Sequence, residues 1–483
     1  MTLLALILVF VPFVAPPGLL FPSYTQPVPL LLGWIYLAFA YKLFPIKLFS
    51  VCFTFFLFYI IVLRFLMHRE FSLTIDDQSV LIAYCFGFFQ LSFLLSLFKK
   101  AFRKLRNGNF FLADQILNSA RLTILIVATT SILQLFPVFS DFLTYVKPKH
   151  FELGVSLNFA NRGLSGILPE PSYVGTSCAV MIIIVYWFSF RIFLEKNNPS
   201  RIISSSSNSS SSPIKPQRVG EFQFYPIYSS YLVSFLACKQ NLFAVIASSI
   251  TVSLAFSPAS FISFLFILFS VFIPPFLGLY RHKVSMRWLL YFPAAIAFIL
   301  LLTFSLYSLF PGMRLSSTIN GVIEQGLYSL IDGSDASSAD RTASSVAGLF
   351  SIFYHPLGLG LNGHRALFAD CSDEMIIHFN LLCGSIYSSS RNHNALATYL
   401  QDGGLVGIYS VFLAFGSSFT KLFAQNFRSF SWVGRLSLVY LFFIFVVLPS
   451  PLGAPSVWIA IALIISFFSV PFGLESNDCS PNV

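Results

Sequence analysis

The sequence predicts an all-α fold, a polytopic integral membrane helix bundle of about twelve transmembrane helices with a large external loop containing short helices. Three observations lead there. Of 483 residues, 56% are hydrophobic and only 10% charged, and the mean hydropathy is +0.78. That much apolar surface, with 59 Phe, exceeds what a water-soluble core takes up. The apolar residues also fall into runs near the length of about 20 residues that a spanning helix needs. Finally, Lys and Arg cluster between particular runs, as the retention of basic loops on the cytoplasmic side requires.

Taken in order, the candidate spans are 1–21, 28–44, 46–66, 79–98, 114–138, 172–194, 241–257, 259–280, 287–310, 396–420, 436–450 and 456–472. The first is interrupted by Pro12, Pro16 and Pro17 and lacks a basic leading region and a small-residue cleavage site, so it reads as a retained span, not a signal peptide. The run "KKAFRKLRNG", with Lys99, Lys100, Arg103, Lys104 and Arg106, marks its loop as cytoplasmic. Alternation from there places both termini in the cytoplasm and concentrates the net charge of +10 on that face. The basic balance therefore reports topology, and implies no nucleic acid partner.

Five regions follow. Residues 1–194 form an N-terminal transmembrane bundle with an external Glu-Pro-Ser loop, and 195–223, containing "SSSSNSSSSP", form a flexible cytoplasmic linker. Residues 224–310 hold central transmembrane segments and begin with an interfacial stretch at 224–239. The large external (periplasmic) loop covers 311–395, and the C-terminal helices and tail cover 396–483. A loop that long with its own patterned segments is usually functional.

Charged residues at the external ends of spans are the first functional candidates, because their desolvation is costly. In "NRGLSGILPEPSYVGTS", Pro169 and Pro171 bracket Glu170 and restrict the backbone that presents its carboxylate. Arg162 lies eight positions earlier; a salt bridge between the two that only braces the loop is the alternative reading. In "SSADRTASSVAGLFSIFYHPLGLGLNG", Ser337, Ser338 or Asp340 caps a helix beginning near Arg341 and ending at Pro356. Arg341 in a first turn opposes the helix dipole, whereas an anion there would gain from both the guanidinium and the free amides. Neutralisation by Asp335 or Asp340 is the plainer account.

The glycines of "GLGLNG" match GxGxxG by spacing, yet what precedes them ends a helix where a nucleotide fingerprint needs a strand; a tight turn at the membrane surface is expected. In "SRNHNALATYLQDGGLVGI", Arg391 and His393 precede an apolar run that Asn392 or Asn394 can cap. His393 then sits at the mouth of the bundle, as a functional group or as a polar residue bonded to a neighbouring carbonyl. None of the seven His has HxxxH or HExxH spacing, so no metal site and no cofactor is expected. Of the seven Cys, only Cys371 and Cys383 fall in the external loop, where an oxidising compartment would keep a disulfide between them; two free thiols are the alternative.

With these residues quoted, a resemblance can be stated. "NRGLSGILPEPSYVG" resembles the Arg, Gly, Glu-Pro-Ser signature of bacterial polysaccharide polymerases. The stretch from Ser338 and Arg341 through "HPLGLG" to "NHNALATYLQDGGLVG" is similar to the O-antigen polymerase and O-antigen ligase superfamily, and the whole resemblance covers roughly residues 115 to 410. The resemblance implies a membrane glycosyltransferase that polymerises undecaprenyl-pyrophosphate-linked oligosaccharide repeat units into O-antigen or a related surface polysaccharide, with its active site on the external face. A chain-length regulator and a flippase would be its partners. The leaving pyrophosphate needs guanidinium groups, for which Arg162, Arg341 and Arg391 are the candidates. The acceptor hydroxyl needs a base, either His393 or Glu170. A ligase would share most of these residues and differ in its acceptor, whereas a polysaccharide flippase or other transporter would show internal repeats and broken helices near mid-membrane.

Overall fold

The computed structural model describes residues 1–11, 27–44, 47–68, 73–136, 138–139, 164–168, 171–196, 234–235, 237–255, 257, 260, 262–267, 320–321, 323–326, 345, 348–363, 394–424 and 455–469. The elements found there are helices: α1 (Thr2–Phe10), α2 (Pro27–Tyr41), α3 (Lys47–His68), α4 (Ile75–Arg106), α5 (Phe111–Leu133), α6 (Pro171–Lys196), α7 (Lys239–Leu254), α8 (Ala395–Ala424) and α9 (Pro455–Ser469). Four stretches are long and apolar enough to cross a membrane: Ser50–Met67, Val80–Arg106, Phe111–Leu133 and Tyr173–Lys196. They coincide with the spans expected at 46–66, 79–98, 114–138 and 172–194. The composition is that of a membrane-embedded helical protein. The Ser-rich linker, the span expected at 287–310 and most of the external loop lie outside the described residues.

The longest helix organises the rest. At its start Thr74 and Asp77 form a reciprocal capping box, in which the Asp77 N–H donates to Thr74 Oγ1 at 3.2 Å and the Thr74 N–H to Asp77 Oδ2 at 3.0 Å. At its end Gly108, with φ +85°, closes a Schellman turn: Asn109 N–H reaches Lys104 O and Gly108 N–H reaches Leu105 O. The chain reverses there within a few residues, so α5 runs back and ends on the Asp77 side. α6 returns in turn, with Lys196 Nζ 5.5 Å over the Phe110 ring near the reversal. α6 therefore begins, at Pro171, on the Asp77 side as well.

Small residues let these helices approach. A Cβ at Gly87 of α4 would lie 2.3 Å from the Trp458 indole of α9, and one at Gly33 of α2 would lie 2.6 Å from the Ala5 carbonyl of α1. Aromatic rings fill the remaining space: Phe102 stacks on Phe188 at 4.7 Å, and Trp187 tilts against Phe467 at 4.4 Å. Outward-facing Phe39, Phe55, Phe58 and Leu66 stay exposed on the protein, as lipid-facing positions do.

Candidate functional site

The best-built polar arrangement lies at the Asp77 end, where a turn at 358–363 wedges between α3 and α8. The helical stretch at 348–354 ends before His355 and Pro356, and residues 358–363 then form a buried turn. This is the expected turn of "GLGLNG", but it does not lie at a surface: Leu359, Leu361 and Asn362 are all buried. Glycine permits it. Gly358 and Gly360 have φ +88° and +83°, and their missing side chains would meet the Asp402 carbonyl at 2.5 Å and the Arg64 backbone N at 2.4 Å.

The turn takes over hydrogen bonds that α8 cannot make for itself. α8 departs from helical geometry at Gly404 (φ 53°, ψ −140°). Around that break the Leu359 N–H donates to Gln401 O at 2.9 Å, the Gly360 N–H donates to Asp402 O at 3.0 Å, and the Leu405 N–H donates to Pro356 O at 2.8 Å. On the other side Leu361 N–H donates to Ile60 O of α3 at 2.9 Å, and Tyr59 hydroxyl donates to Leu357 O at 2.6 Å. Backbone groups freed by a break in a buried stretch of helix need such partners.

Side chains complete the network. Asp402, fully buried, accepts from the Tyr84 hydroxyl of α4 at 2.8 Å and from Gly363 N–H at 2.9 Å. Its next neighbour in the turn, Asn362, donates to Asp77 Oδ1 at 3.0 Å, and Arg64 Nη2 reaches Asp77 Oδ2 at 3.2 Å. Burial pushes the Asp77 carboxyl up, but hydrogen bonds from Asn362 and Thr74 and the charge of Arg64 outweigh it and hold the group below its ordinary value. Phe56, Tyr84 and Tyr399 wall the cluster, with Phe56 stacked on Tyr399 at 4.4 Å.

Elsewhere at this end, Ser165 and Gly166 N–H both donate to Gln134 Oε1 at 2.9 Å, and Leu164 N–H donates to Leu254 O at 3.1 Å. The "LSGIL" part of the first motif is thereby fastened to the ends of α5 and α7. Asn394 is the cap of α8, its Oδ1 accepting from Ala397 N–H at 2.9 Å, which selects one of the two expected Asn. Arg162, Glu170, Arg341, Arg391, His393, Cys371 and Cys383 all lie outside the described residues.

Arg64, Asp77, Tyr84 and Asp402 were not among the residues singled out by sequence. The one available signal was a carboxylate beside two glycines, Asp402 in "LQDGG", inside an apolar run. Arg121, expected within a span, is also a cross-brace: its guanidinium donates to Asn241 Oδ1 at 2.6 and 3.0 Å, to Asn118 Oδ1 at 2.9 Å and to Gln240 Oε1 at 2.7 Å. These amide partners are neutral, and the bonds join α5 to α7.

Compared with protein-family models and with curated proteins, the chain matches none of them. The resemblance stated above therefore rests on its own motifs and their arrangement.

Proposed function

We propose that this protein is a membrane glycosyltransferase that joins lipid-pyrophosphate-linked oligosaccharide repeat units into a surface polysaccharide. The observation that supports the reading is convergence. Described parts of both motif groups sit at one end of the bundle: "LSGIL" on the ends of α5 and α7, and "HPLGLG" bonded directly to "LQDGG". In sequence, Arg341 precedes described Ser345 by four positions, and His393 directly precedes the cap of α8. In this reading Arg162 and Arg341, with Arg391, hold the pyrophosphate as the anomeric bond breaks, because guanidinium stays charged and binds phosphate oxygens in pairs. His393 or Glu170 takes the proton from the acceptor hydroxyl.

The test is polymer formation by the purified, lipid-reconstituted protein supplied with undecaprenyl-pyrophosphate-linked repeat units. Ladders should appear with wild type and vanish in Arg162→Ala and Arg341→Ala at equal protein abundance, with Arg→Lys restoring little. Wild-type ladders from both Ala variants would overturn the assignment. A transporter is the second reading, favoured by the break of α8 at Gly404 beside a buried carboxylate. Flipping of the lipid-linked unit without any joining would select it, and transfer to a different acceptor would select a ligase.

A further inference from the structure

The other end of α4 carries a basic cluster that the proposed chemistry does not use. Lys42 follows the last residue of α2, and Lys100 and Lys104 lie one turn apart on α4. All three gather at Tyr41: Lys100 Nζ donates to the Tyr41 carbonyl oxygen, Lys104 Nζ lies 5.5 Å over the Tyr41 ring, and Lys100 feels the like charges of Lys104 and Lys42. Among the described residues no carboxylate lies within ion-pair distance of any of them. Arg103 and Arg106, in the same last turn of α4, are exposed.

A favourable interaction with the helix dipole accounts for Arg103, Lys104 and Arg106, which occupy the last turn of α4. It does not account for Lys42. That residue closes a Schellman turn at the end of α2, with Leu43 N–H to Ala38 O at 3.0 Å and Lys42 N–H to Phe39 O at 3.4 Å, and it does so in the left-handed region at φ 46°. The same turn at the end of α4 uses Gly108. A lysine in glycine's place is disfavoured by the backbone and adds a third cation to a pair of like charges. The second cost recedes if an anion sits among the three ammonium groups, and the binding then offsets the first.

We infer that Lys42, Lys100 and Lys104 bind the phosphate of an anionic phospholipid headgroup where α2 and α4 leave the hydrocarbon. The location decides for lipid. The cluster caps two apolar helices, it stands beside an aromatic side chain of the kind that settles at headgroup depth, and basic residues just beyond a span attract anionic lipid.

The experiment uses the full chain in phosphatidylcholine vesicles with spin-labelled phosphatidylglycerol or spin-labelled phosphatidylcholine as probe, reading the immobilised lipid fraction. Wild type should retain the anionic probe about fivefold over the neutral one, the effect of roughly one lysine at a membrane surface. The K42Q/K100Q/K104Q variant should bring that ratio to about one. Lys42→Gly suits the turn and removes one charge, so it should fold normally and give an intermediate ratio; it keeps the test decisive if the triple variant fails to fold. An unchanged preference in a folded variant, or none in wild type, would overturn the inference. So would displacement of the anionic probe by inorganic phosphate with no lipid preference remaining, which would identify a soluble phosphate ligand.

Discussion

At the Asp77 end of α4 polar groups are matched across elements: Arg64 of α3 to Asp77 of α4, Asp77 to Asn362 of the turn, and Asp402 of α8 to Tyr84 of α4. At the Arg106 end, about 44 Å along the same helix, Lys42, Lys100 and Lys104 face one another without a carboxylate in reach among the described residues. The difference is one of solvent. A desolvated charge must be satisfied by the protein, and doing so fixes the geometry of every group involved. A charge at the membrane surface can be balanced from outside, so the protein need not supply the counter-ion. The first end is therefore suited to holding a site in shape, and the second to meeting something external.

The most damaging change to the closed end should be Gly404→Ala. An added Cβ would lie 2.3 Å from the Pro356 carbonyl oxygen and 2.4 Å from Gly358 N, in a backbone conformation with φ +53°. Pushing the turn away breaks the bonds that bridge α8, so a loss of about 3 kcal/mol is expected. Gly326 supplies the control, since it also has positive φ (+70°) but has nothing within 4 Å of its would-be Cβ. Gly326→Ala should cost only about 1 kcal/mol, the backbone penalty alone. Equal melting shifts for the two variants would show that the wedge is not what holds α8.

Next in size is His393→Ala. If His393 is the acceptor's base, turnover with lipid-linked substrate should fall about 100-fold or more with little change in substrate binding. Wild-type turnover should decline as pH drops through the ordinary imidazole value of about 6.5. An unchanged rate would pass the role to Glu170 or leave it with no side chain.

How much of this was legible in sequence depended on the range of the signal. Apolar runs give α3 to α6 their positions because a spanning helix is specified by about 20 neighbouring residues. The cap at Asn394 and the turn at "GLGLNG" were readable for the same reason: cap and glycine chemistry act within a few positions. The polar network was not. Asn362 donates to a carboxylate 285 positions away, and Tyr84 to one 318 positions away, so neither periodicity nor local spacing could pair them. Surface placement of the turn was the natural expectation for a glycine-rich stretch after Pro356. The reason it is buried is the break at Gly404, which frees carbonyls in α8 that the N–H groups of the turn satisfy.

A smaller effect should follow Asp77→Asn. The variant keeps the shape but loses the charge that Arg64 faces, for about 2 kcal/mol. Asp77 is held below the ordinary carboxylate value, so its contribution is complete above about pH 4 and is lost as pH falls through the lower native value. The melting difference between wild type and Asp77→Asn should be constant from neutral pH to about pH 5 and shrink in more acid solution. A difference that instead vanished on raising the pH would mean that Asp77 is not held as an anion by Arg64 and Asn362.

The smallest effect should have the opposite sign and come from the open end. Lys42→Gly replaces a side chain in the left-handed region with the residue that region favours, as Gly108 already does at the end of α4. It also removes one of three like charges around Tyr41. In detergent without anionic lipid both changes stabilise, and melting should rise by the equivalent of about 1 kcal/mol. In vesicles containing phosphatidylglycerol the gain should shrink, because wild type then recovers stability from the bound anion that the variant holds less well. Comparing the variant in the two media separates backbone strain, which lipid does not alter, from charge, which it does. The same gain in both would mean that Lys42 is only a strained cap, and that this end of α4 is as self-contained as the other.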